Sequence, residues 1–174
     1  MSEPAGQNLP EPWLRGTLTE VTPVIRGALH ALELAEGDLW KWCHPLTLEQ
    51  LNQPVCGAAP VTFHLRHIAR SLDRLLTYAE GGQLNEAQAQ ALQSEREAAG
   101  SREEVFEELG AALERSKARL LALQTTDLGA ARAVGRKRLP TTLGGLVVHI
   151  ADHTQRHVGQ AITTARIAAR GEIS

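Results

Sequence analysis

Near the end of the chain, His149, His153 and His157 recur at four-residue intervals in the stretch HIADHTQRHVGQ. A neutral imidazole ligates divalent metals and carries protons near neutral pH. On an α-helix, residues four apart lie on one face, so the three rings form a row. Adjacent members of that row can close on one ion. The full row spans about two turns, which is too long for one ion to take all three. A third protein ligand therefore comes from elsewhere. The stretch FHLRHIARS offers His64 and His67. Either of these, with His153 and His157, makes a three-imidazole site if the two segments are facing helices of a bundle. Helical periodicity sets His64 closer than His67 to the apolar side of its segment.

Other reactive residue types read as structural. His149 is expected to orient a neighbour or meet solvent, and His30 to lie on a helix face without chemistry. Cys43 and His44 are adjacent, and sequence neighbours rarely face one ion together, so a packed thiol is expected. Trp13, Trp40 and Trp42 read as core or helix-end anchors. Arg66, Arg70 and Arg74 read as a solvated or intersubunit face. The cluster Arg136, Lys137 and Arg138 reads as a solvated loop, with attraction of an anionic cosubstrate as the lesser alternative. Asp152 is the nearest acidic residue to the row, but it points about 100° away from His153 and makes a poor general base.

The elements that would position these groups are helical. Apolar residues recur at helical spacing from Leu14 to about Leu39, with Pro23 in a first turn or at a kink. CHPLTLEQLNQPVCGAAP reads as a long connection, from about 43 to 60, holding one short helical turn. VTFHLRHIARSLDRLLTYAEGG has an apolar face of Leu65, Ile68, Leu72, Leu75, Leu76 and Ala79, and Gly81 and Gly82 stop it. LNEAQAQALQSEREA reads as a short polar helix. A third long helix starts at Ser101 with Glu104 at capping-box spacing. TTDLGAARAVGRKRLP reads as a linker. The last helix is expected from Thr141 or Thr142 to about Arg170. No period-2 strand is convincing. The fold class is therefore all-α, a four-helix bundle. Residues 1–12 read as a flexible N-terminal tail, and 13–174 as one bundle domain.

Composition narrows the function classes. The chain has 174 residues, 43% of them hydrophobic, enough for one domain with a real core. With 18 basic and 20 acidic residues the formal charge is −2, which gives no pull toward nucleic acid or an anionic membrane. Aromatics at 3% cannot build a stacking platform for bases. The two cysteines, Cys43 and Cys56, form no CxxC pair, and no sequence feature suggests a disulfide framework. The polar, proline-bearing start does not read as a signal peptide, and no run is long enough to cross a bilayer. The expectation is a soluble cytoplasmic protein.

LRHIARSLDRLLTYAEG and TTLGGLVVHIADHTQRHVGQA, the latter with its Gly159–Gln160 pair, resemble the DinB-like, YfiT-type family of metal-dependent four-helix bundles. The resemblance spans residues 14–170 and is most specific in these two stretches. It implies metal ligands at His67, His153 and His157, with His64 as the substitute for His67 and His149 outside the set. It implies a divalent metal, zinc or nickel ahead of iron or manganese. It also implies a low-molecular-weight thiol cofactor that attacks a small-molecule electrophile, and a homodimer. Two alternatives remain open: a metal-dependent hydrolase, and a non-catalytic, stress-associated metal-binding bundle. Gly159 is expected to permit close backbone approach beside the site.

Overall fold

The computed structural model describes residues 9–171. Four long helices make the bundle: α1 (Pro23–Trp42), α3 (Val61–Ala79), α5 (Arg102–Ala122) and α6 (Leu143–Ala168). Two short ones lie in the connections, α2 (Leu48–Asn52) and α4 (Glu86–Gln93). The expected tail falls largely outside the described residues; Pro12–Leu14 form a single 3-10 turn.

Local chemistry sets the boundaries. Pro23 opens α1 in its first turn, where the missing N–H costs nothing. The helix expected from Leu14 therefore begins nine residues later, and Pro23 starts it rather than kinking it. Thr47 and Gln50 form a reciprocal capping box on α2, and Asn85 and Gln88 do the same on α4. Past the end of α3, Gly81 takes a φ of +88°, a left-handed turn that ordinary residues resist.

The apolar stripes of the long helices meet in one core. Leu32, Leu39, Leu65, Leu72, Leu76, Leu109, Leu113 and Ile150 are fully buried there. Each such burial contributes about 1.5–3 kcal/mol, so the core rather than the polar groups holds the helices together. The neighbours run in a ring: α1 against α6, α6 against α3, α3 against α5, and α5 against α1.

Cross-helix pairs fix the directions. Glu36 meets Lys117 and Trp40 meets Phe106, so α1 and α5 are antiparallel. Arg70 meets Glu108 and Glu80 meets Arg119, so α3 and α5 are parallel. His64 meets His157 and Ser71 meets His153, so α3 and α6 are antiparallel. Two consequences follow for the connections. The long helices α1 and α3 are diagonal, which explains the long segment between them. The parallel pair α3 and α5 forces residues 80–101 to climb back along the length of α3.

The stretch read as a linker contains strands. β1 (Ala131–Val134) and β2 (Leu139–Thr142) pair antiparallel, Ala131 opposite Thr142 and Val134 opposite Leu139. Arg136, Lys137 and Arg138 lie in its exposed turn. Arg132 donates to the Ala79 carbonyl at 2.6 Å and anchors the hairpin at the end of α3. Trp40 packs edge-on against Phe106 as expected of an anchor, with ring centroids 5.4 Å apart. Trp13 instead is exposed and donates to Glu11.

Candidate metal centre

α3 and α6 are neighbours, and each brings histidines to their shared seam. Ligand nitrogens of His67, His153 and His157 all lie within 4.8 Å of one another, a grouping that can hold a metal ion. Nε2 of His67 is 3.3 Å from Nε2 of His153. Nitrogens that share one tetrahedral ion with bonds of about 2.0–2.1 Å sit about 3.3 Å apart, so this pair is already at coordination spacing. The rings of His67 and His157 are 4.3 Å apart, and those of His153 and His157 are 4.8 Å apart.

The second nitrogen of each ring is occupied. Nδ1 of His67 is 2.7 Å from Oε2 of Glu95. Nδ1 of His157 is 3.1 Å from Nδ1 of His64. Nδ1 of His153 makes a long contact of 3.5 Å with Oγ of Ser71, whose hydroxyl donates to the Ile68 carbonyl. Ser71 is thus left as an acceptor, an arrangement that suits a proton on Nδ1 of His153. Glu95 is a carboxylate acceptor, so His67 carries its proton on Nδ1. Both Nε2 atoms then present lone pairs to each other, a repulsive arrangement that a cation between them relieves. The donor set fits a divalent ion.

Protonation supports the same fit. Burial, followed by the closeness of His67 and other positive groups, lowers His153 and His157 to about 4. Burial and His67 lower His64 likewise to about 4. These rings are neutral at physiological pH and keep a lone pair for a ligand or a hydrogen bond. Burial pushes the Glu95 carboxyl up, but hydrogen bonds from His67 and Arg74, and their charge, leave it below the usual carboxylate range.

The sequence-derived residues fall as follows. His67, His153 and His157 come together. His64 is buried, as its place in the apolar stripe requires, and meets His157 through its own Nδ1. His149 is exposed and weakly opposed to Asp152 at 4.0 Å. Asp152 is engaged by Arg156 at 2.7 Å. His30 is buried and hydrogen-bonded to Thr17. Cys43 is a buried thiol that burial pushes up to about 12, in keeping with a packing role.

Two expectations are overturned here. Arg66, Arg70 and Arg74 are not a solvated face. Arg66 and Arg74 are buried, and all three bond to the returning segment or to α5. Gly159 does not admit a neighbouring backbone: a Cβ built there meets nothing within 4 Å. It lines an open cleft of about 640 Å³ beside the histidines, together with Phe63, His64, Arg156, Gln160 and Thr163. Phe63 forms the wall between them, its ring stacked on His67 at 5.4 Å. Sequence reasoning missed Glu95. It lies in a charged stretch, SEREA, with no apolar periodicity to flag burial. The one available signal was the i, i+4, i+8 arginine row on α3, which needs acidic or carbonyl partners once its helix is central.

A helical bundle with imidazoles converging from two antiparallel helices defines a class of candidate metal-binding bundle proteins. This chain belongs to the DinB superfamily, which matches it over residues 31–161, a span that includes all four clustered histidines. No curated protein and no solved structure matches the chain significantly.

Proposed function

We propose that the protein is a metal-dependent enzyme that adds a low-molecular-weight thiol to a small electrophile. His67, His153 and His157 would hold a divalent ion, with zinc or nickel favoured by three neutral imidazoles over the oxygen-seeking metals. The observation that carries this reading is the convergence of these three rings beside an open cleft. A divalent ion with three neutral ligands keeps its full +2 charge, and that charge acidifies a thiol at the site.

The chain's own residues shape what enters. Ala58, Ala59 and Phe63 give the cleft an apolar body, and Gln160 and Thr163 of α6 give it a polar side. His64 is the cleft residue that touches the triad. Arg156 lies at the rim, where its guanidinium is bonded to Asp152. No acidic side chain lines this cleft among the described residues, so a hydrolytic route would have only the neutral His64 as a cleft-lining base. Asp152, the nearest on α6, is exposed and already paired with Arg156.

The test combines metal analysis of untagged protein with a transfer assay using several biological thiols and a model electrophile. Wild type should carry a stoichiometric divalent ion and show thiol transfer. His153→Ala should lose both while keeping its helical circular dichroism, because helix formation rests on the apolar stripes. Stoichiometric metal without turnover for any thiol would instead support a binding protein.

A further inference from the structure

The buried carboxylate of Glu95 has no part in the thiol chemistry above, yet it touches the triad directly. We propose that Glu95, held by Arg74, is the positioning residue of the metal site: it keeps the proton of His67 on Nδ1 and turns Nε2 toward His153 and His157. This rests on the metal-binding reading above.

The geometry divides the carboxylate between two tasks. Oε1 accepts from Nη1 of Arg74 at 2.6 Å, and Oε2 accepts from Nδ1 of His67 at 2.7 Å. The Glu95 side chain is only 3% exposed. Burying a carboxylate is unfavourable unless it is paired and hydrogen-bonded, and a bond to Arg74 alone would leave one oxygen unmatched. His67 completes the pairing. A carboxylate behind a ligating imidazole fixes its tautomer and raises its basicity. The other two triad rings have only neutral partners, Ser71 and His64. His67 is thus the one ligand with a charged support.

The backbone around Glu95 is clamped on both sides. Arg70 donates to the Ala91 carbonyl and to Oγ of Ser94, and Arg66 donates to the Glu97 carbonyl. Asn52 donates to the Ala99 carbonyl and accepts from its N–H. The three arginines of α3 thus seat one short turn, Ser94–Arg96, so that Glu95 points inward.

Zinc affinity of the full chain, measured by competition with a chromophoric chelator, tests this. Glu95→Ala should weaken zinc binding by about 10–100-fold. Glu95→Gln should lose less, because its amide oxygen still accepts from Nδ1–H. Nitrogen-15 NMR of the metal-free protein should show His67 protonated on Nδ1 in wild type and in Glu95→Gln, and shifted toward Nε2 in Glu95→Ala. Melting of the metal-free variants identifies any that fail to fold. If Glu95→Ala does not fold, the wild-type tautomer and Glu95→Gln decide the matter. A wild-type His67 protonated on Nε2 overturns the proposal, as does a folded Glu95→Ala that binds zinc like wild type. Wild-type protein that binds neither zinc nor nickel overturns both this inference and the metal reading, whereas tight wild-type binding unchanged in Glu95→Ala overturns this inference alone.

Discussion

At Gly159 the helix gives up stability for space. A glycine inside a helix costs about 0.5–1 kcal/mol relative to alanine. No neighbouring atom forbids a methyl group there. Gly159→Ala should therefore raise the melting temperature, while narrowing the cleft; a lower melting temperature contradicts this account. The histidines make a second prediction. His64, His153 and His157 are lowered to about 4 in the fold, from an ordinary 6.5. Between these values the unfolded chain binds more protons than the folded one. Stability of the metal-free protein should therefore fall as pH drops from 6.5 toward 4, and fall further as Glu95, whose carboxyl lies below its usual range, is protonated. Around these rings the charged groups are Arg74 and Glu95, bonded to each other, and Arg156, with the imidazoles of His67 and His149 beside them. Urea denaturation across that range checks it; stability that rises on acidification refutes it. At this scale, His153 and His157 were legible because four-residue spacing is itself geometric information. His67 against His64 was not legible from periodicity. Both rings reach the seam, and what separates them is Glu95, which lies 28 residues from His67 in sequence.

The long helices were legible because each buries one continuous apolar stripe, and that stripe repeats in the sequence. The hairpin was not. Its strands have four residues each, and none of their residues is fully buried, so no period-2 contrast exists to be read. Its role is to deliver the chain into α6. The carbonyl of Ala130, just before β1, accepts from Leu143 N–H at 2.9 Å, and Thr142 then caps the helix by accepting from Gly145 N–H at 3.1 Å. Gly145 has no room for a side chain: a Cβ there would lie 2.9 Å from Oγ1 of Thr141. Thr142→Ala should cost about 1 kcal/mol through the lost cap. Denaturant melts should show this as a lower midpoint with an unchanged slope; no change in midpoint would mean that Thr141 substitutes as the cap.

For the molecule as a whole, topology decides more than any single motif. A bundle whose consecutive helices were all antiparallel neighbours would need only short turns. Here α3 and α5 run in the same direction, so residues 80–101 must travel back up the bundle. That return path carries Glu95 to His67. No local pattern in the sequence announces it, because the reason for the path is the direction of another helix. The path also makes the site and the segment thermodynamically reciprocal. An ion that binds about 10–100-fold more tightly when Glu95 is docked must stabilise the docked segment by the same factor, about 1.4–2.7 kcal/mol at saturation. Hydrogen exchange at residues 94–99 should therefore slow when zinc is added, while the hairpin amides at 131–142 keep their rates. Equal exchange with and without zinc would uncouple the two. Read in the other direction, Asn52→Ala lies on a different helix and touches none of the three histidines, yet by loosening Ala99 it should lower the affinity for zinc. The return segment is in effect a built-in ligand of the bundle, and its occupancy would set how tightly an ion at the three histidines is held.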